Sequence, residues 1–133
     1  MGIEIRSGYS IRKSTGLSYE LAVERVKEAL KGEGFGVLTE INVKNTLKEK
    51  IGEDFRKYVI LGSCNPRLAH RALQAELDIG LLLPCNVVVY EEDGGSVVAA
   101  QNPEAALNLV DNPELRPIAR EARERLARVV EAV

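Results

Sequence analysis

Two runs of apolar residues without alternation, Tyr58-Val59-Ile60-Leu61 and Val87-Val88-Val89-Tyr90, constrain this chain more than any other feature. A strand wet on one face alternates apolar with polar residues, whereas an unbroken run marks a strand covered across most of its width. The two runs therefore form the middle of a sheet. Between them stand Gly62-Ser63-Cys64, an Asn65-Pro66 helix start, and an apolar connection from Ile79 to Pro84 that leads into Cys85. Both cysteines and the only histidine, His70, fall inside this stretch.

At 133 residues, positions 1–133 make a single domain, long enough to bury one core without disulfides or metals. With 18 basic against 20 acidic side chains, the formal net charge of -2 offers no general attraction to phosphate backbones or anionic lipid. Aromatic residues at 5%, with no Trp, leave few platforms for stacking single strands, so no nucleic-acid partner is expected. The start, Met1-Gly2-Ile3-Glu4-Ile5-Arg6, lacks the basic segment and apolar core of an export signal. The longest apolar stretch, Ile79 to Tyr90, is interrupted by Pro84 and Asn86 and is too short to cross a bilayer. A cytoplasmic location is expected, where paired cysteines stay as free thiols more often than they form a disulfide.

Taken in order, Tyr9 to Lys13 alternates and predicts a first strand near a sheet edge. Ser18 caps a helix with Tyr19, Ala22, Val23, Val26 and Leu30 on one stripe, ended by Gly32, Gly34 and Gly36. Phe35 to Ile41 reads as a second strand with Phe35, Val37, Thr39 and Ile41 on a shared face. Asn42 caps a short helix whose Val43, Leu47 and Ile51 are expected to point inward. Asn-Pro occurs at 65–66, 102–103 and 112–113, and each pair reads as a helix start: Asn accepts from orphan amides and Pro gives up nothing at the first position. The helix from Pro66 carries Leu68, Ala69, Ala72, Leu73 and Leu77 as its buried side. Asp93-Gly94-Gly95 is a tight hairpin turn between the fourth strand and a fifth, Ser96 to Gln101. A short helix from Pro103 and a long one from Pro113 follow, the latter with Ile118, Ala122, Leu126, Val129 and Val133 as its apolar stripe.

The candidate site depends on how the two central strands run. Antiparallel neighbours would place Cys64 and Cys85 on one rim beside the amino end of the Pro66 helix, where the helix dipole favours a thiolate or a bound anion. Parallel strands would put the thiols at opposite ends, roughly 20 Å apart at about 3.3 Å per residue. In the first case His70, one turn into the helix, is a candidate base or third ligand. No Cys-x-x-Cys pair, second His, glycine-rich phosphate loop, Gly-x-Ser-x-Gly elbow or His-Glu-x-x-His is present, so no metal, cofactor or catalytic set is assigned. Two small buried hydrophobes and a surface His are the plainer reading of these residues. The three leucines at 81–83 sit in a connection, and such a run is buried under a helix or against a second copy, a symmetric homodimer through Ile79–Pro84 being the usual outcome.

With Gly34-Phe35-Gly36-Val37-Leu38-Thr39-Glu40, Gly62-Ser63-Cys64-Asn65-Pro66 with Ala69-His70, and Gly80-Leu81-Leu82-Leu83-Pro84-Cys85-Asn86-Val87 in view, the chain resembles the domain of unknown function 302 family. The resemblance spans nearly the whole chain and is weakest in the C-terminal helices. It implies an α+β fold similar to the TATA-binding-protein-like group, a curved and largely antiparallel five-stranded sheet packed against helices, including a long C-terminal one. The implied order is strand, helix, strand, helix, strand, helix, strand, strand, helix. It tilts the central strands toward the antiparallel arrangement and carries over no catalytic residue, since fold alone licenses no function. Two readings of function stand from here. One is a non-enzymatic dimer binding a small ligand or partner near Cys64, Asn65, His70, Pro84 and Cys85. The other is a thiol-redox or metal protein using Cys64 and Cys85 with His70. An enzyme of another class has no positive sign.

Overall fold

The computed structural model describes residues 2–6 and 8–133. Six strands form one antiparallel sheet in the order β1-β2-β6-β5-β4-β3: β1 (Glu4–Arg6), β2 (Ser10–Thr15), β3 (Gly36–Asn42), β4 (Tyr58–Cys64), β5 (Cys85–Glu92) and β6 (Gly95–Gln101). The helices are α1 (Tyr19–Gly32), α2 (Val43–Ile51), α3 (Pro66–Ala75), α4 (Pro103–Leu107) and α5 (Leu115–Glu131), with a 3-10 segment at Leu77–Leu82. The α+β class and the long C-terminal helix are as the sequence indicated. The sheet has one strand more than the five expected: β1 is only three residues long, carries no readable pattern, and pairs with β2 as Glu4↔Arg12 and Ile5↔Ile11.

Local chemistry explains where elements start and stop. Ser18 Oγ accepts from the Leu21 amide, Asn42 Oδ1 from Asn45, Asn65 Oδ1 from Leu68 and Asn102 Oδ1 from Glu104, each satisfying an orphan amide of a first turn. The third Asn-Pro behaves differently. Asn112 Oδ1 accepts from Glu114, but it organises a preceding turn, and α5 begins at Leu115 after Glu114, which gives no side-chain cap. The β5–β6 turn takes positive φ at Asp93 (48°) and Gly94 (79°), the pair of angles a two-residue hairpin needs. Gly95 already belongs to β6, where a Cβ would collide with the Thr15 carbonyl oxygen.

Two apolar clusters divide the interior. The first lies between the sheet and helices α1 and α5, where Ile11, Val59, Leu61, Val87, Val89 and Val98 meet Val26, Leu30, Leu126 and Val129. In the second, Leu68, Ala72, Ile79, Leu107, Leu115 and Ile118 join α3, the 3-10 segment, α4 and the first half of α5. Helix α5 belongs to both, because its apolar stripe runs unbroken from Leu115 to Val130.

Several inward positions expected from periodicity are not inward. Ile51 is 65% exposed, Leu73 38% and Leu77 82%, since no element lies over those parts of their helices. In β3 the register shifts between Val37 and Thr39, so Phe35 and Val37 face the core while Thr39 and Ile41 do not. One extra residue in a period-two strand reverses the face of everything after it. The leucine run is likewise divided: Leu82 and Leu83 pack against the second cluster, whereas Leu81 is 86% exposed.

These burials predict very different costs for truncating two leucines. Leu61→Ala should lower the free energy of urea unfolding by about 2–5 kcal/mol. Leu81→Ala should change it by no more than about 0.5 kcal/mol. Equal losses would contradict this division of the core.

Candidate functional site

β4 and β5 run antiparallel with Ser63 opposite Cys85, Leu61 opposite Val87 and Val59 opposite Val89. That register brings the ends of a long excursion, through α3 and the 3-10 segment, back to one rim of the sheet. Cys64, which ends β4, and Cys85, which begins β5, consequently lie beside the start of α3, and both line a pocket of about 40 Å³. The pocket sits at the seam between the two apolar clusters. Phe35 closes it from the sheet side, Leu68 and Ala72 from α3, Leu83 and Pro84 from the connection, and Ile118 from α5.

The Ser63 and Asn65 side chains in its lining are already engaged. Ser63 Oγ donates to the Cys85 carbonyl oxygen at 2.6 Å. Asn65 Oδ1 caps α3 at 3.2 Å from the Leu68 amide, and its Nδ2 donates to the Glu33 carbonyl oxygen at 3.4 Å. Arg125 Nη1 donates to that same carbonyl at 3.1 Å, while Arg128 grips the Glu33 carboxylate through Nε and Nη2. Gly34 follows with φ of +85°, and a Cβ there would stand 3.0 Å from Asn65 Nδ2. Asn65 is thus a structural tie between α3, the α1–β3 turn and α5. A lining dominated by apolar groups recognises a ligand by shape and desolvation.

The thiols are held neutral. Burial raises the Cys64 thiol above its ordinary range. Burial, reinforced by the neighbouring Cys64, pushes Cys85 up to about 11. This loss of water around sulfur opposes the pull of the α3 dipole toward a thiolate. His70 stands apart. It lies on the exposed side of α3 and does not line the pocket, because the pocket-facing positions of that helix are Leu68, Ala69 and Ala72. Of the five residues singled out from the sequence, the fold gathers Cys64, Asn65, Pro84 and Cys85 and leaves His70 outside. Among the described residues, no three His, Cys, Asp or Glu side chains are grouped as a metal site requires.

Sequence reasoning missed the walls of this pocket on α4 and α5, namely Leu107, Ile118 and Ala122. Ile118 and Ala122 were legible as a helix stripe, but nothing local told which part of the sheet the stripe would meet. No helix among the described residues is long and apolar enough to cross a membrane.

The sequence profile of the family described as "Domain of unknown function DUF302" matches residues 11–133. The crystal structure of an uncharacterized conserved DUF302 protein from Bacillus stearothermophilus is similar at a TM-score of 0.87 and 34% identity, over 92% of this chain and 96% of that one. No curated protein matches the sequence.

The Cys85 thiol gives the fold an alkaline signature. Its proton is bound more tightly in the native state than in the unfolded chain, so the stability it confers is complete below the ordinary thiol range. That contribution is lost as pH climbs from there through about 11. Urea unfolding across this window should show a steeper loss for the wild type than for Cys85→Ala. Identical slopes would show that Cys85 titrates normally in the folded protein.

Proposed function

The chain belongs to the DUF302 family, and from its own geometry we propose that it is a binding protein whose site is the apolar pocket beside Cys64 and Cys85. The observation that carries this is an apolar seam between two cores in which Ser63 and Asn65 spend their side-chain hydrogen bonds inside the protein. Room of about 40 Å³ admits a short aliphatic group, a few methylenes long, and favours it at about 0.8 kcal/mol per buried CH₂. Nothing in the lining activates a water or a nucleophile, so the reading is capture without catalysis.

A methyl-resolved NMR titration with n-butanol tests this. Saturable shifts should centre on Leu68, Leu83 and Ile118. Ala69→Leu, a substitution at a half-buried pocket-lining position, should abolish them while leaving the fold intact. Shifts that stay linear, or that survive Ala69→Leu unchanged, would remove the proposal.

The alternative, thiol or metal chemistry at Cys64 and Cys85 with His70, has the shared rim in its favour. It has the raised thiols and a His70 that does not line the pocket against it.

The same reading includes a homodimer, and one observation favours it. Leu77 (82% exposed) and Leu81 (86%) project from the 3-10 segment, and Leu109 (78%) follows α4, which packs against that segment. Bulky apolar side chains bared to this degree on adjoining elements suit a self-complementary contact. Sedimentation equilibrium should give a dimer that Leu81→Asp converts to a folded monomer. A wild-type monomer, or a dimer indifferent to Leu81→Asp, would refute the contact.

A further inference from the structure

Helices α1 and α5 cover one face of the sheet, and side chains on the opposite face of β2, β6 and β5 line an open trough of about 400 Å³. Strand register builds it. Arg12 stands opposite Ala99, which stands opposite Val88, so the floor of the trough is one methyl group and one branched side chain. Tyr90 is opposite both Val97 and Tyr58, and the two tyrosine rings stack at 5.2 Å with only 5° between their planes, making a rigid aromatic wall. Asn86 and Gln101 occupy the next positions along β5 and β6 at the far end.

Several polar groups of this trough are not spent. Arg12 is the uncommon feature: its side chain is only 11% exposed although it carries a full charge. Nη2 donates to the Tyr90 hydroxyl at 3.1 Å and Nη1 to Glu4 Oε1 at 3.0 Å. A guanidinium has five N–H donors in a planar fork, so these two contacts fix its direction and leave donors over. The amides of Asn86 and Gln101 and the Tyr58 hydroxyl make no hydrogen bond among the described residues, though all three line the trough. A desolvated cation with spare donors, a flat apolar floor, an aromatic wall and unpaired amides are complementary to a flat ring carrying an anionic oxygen pair.

We propose that this trough is a second binding site, for a small planar aromatic carboxylate, with Arg12 holding the carboxylate and the ring lying over Ala99 and Val88 beside Tyr90. Recognition is by charge-assisted hydrogen bonds on one side and by ring contact on the other. The site is separate from the apolar pocket, with Gln101 the only residue lining both.

Amide NMR titration of the full chain with benzoate is the test, with benzamide and cyclohexanecarboxylate as comparators. Benzoate should shift Arg12, Val88 and Ala99 saturably, and each comparator should bind at least about tenfold more weakly. Arg12→Gln should abolish the benzoate shifts. Since Arg12 is half-buried and bonded to Glu4 and Tyr90, its loss could unfold the chain, and Asn86→Asp provides a second arm at an exposed position. It adds a negative charge to the trough and should weaken benzoate by about tenfold or more, and the neutral benzamide by less. Absent or unsaturable benzoate shifts, equal affinity for benzoate and benzamide, equal affinity for the non-aromatic acid, or indifference to Asn86→Asp would each overturn the proposal.

Discussion

The antiparallel pairing of β4 with β5 is the constraint on which the molecule depends. Its ladder, from Tyr58↔Tyr90 to Ser63↔Cys85, sends alternate residues to the helices and to the open face, so one register creates two different surfaces. Val59, Leu61, Val87 and Val89 go inward, where each is at most 3% exposed. Tyr58, Ile60, Val88 and Tyr90 go outward. A slip of one residue would exchange these sets and place tyrosines in the core, which is why a strand with one buried face has its register so firmly set.

The same pairing explains why an apolar pocket exists at all. Chain leaving β4 at Cys64 must return to β5 at Cys85 on the same rim, and α3 with the 3-10 segment forms a compact detour that buries its own cluster against α5. Sheet core and detour core are then two packed bodies sharing one helix. Protein interiors pack to the density of organic crystals, and residual space collects where independently packed bodies meet. Small residues at the seam, Ala69, Ala72 and Ala122, keep that space open. Cys64 and Cys85 border it, and burial raises both thiols above their ordinary range.

How much of this was legible beforehand divides along physical lines. Signals that act over a few residues were readable: Asn capping at Asn65 and Asn102, the Asp93-Gly94 turn, and the unbroken apolar runs of β4 and β5. Errors arose where an outcome depended on a neighbour distant in sequence. Ile51, Leu73 and Leu77 fit helical stripes but have no partner element above them, and the β3 bulge beside Leu38 has no signature in residue type. His70 shares a short helix with the pocket-lining Leu68, yet its direction follows from how α3 is rolled onto α5. Cys64 and Cys85 were found because only two strand directions were possible. The Arg12 trough was invisible for the converse reason: it takes residues from four strands whose order, β2-β6-β5-β4, is not the order of the chain.

The central claim is that the seam between the two cores is an accessible apolar site. Xenon, a polarisable atom without hydrogen-bonding capacity, probes this with no assumption about the natural ligand. Diffraction from crystals equilibrated under xenon pressure should show a bound atom enclosed by Phe35, Leu68 and Ile118. A seam that stays empty while xenon enters other sites, or takes up none at all, would show the space to be closed packing and would contradict the account.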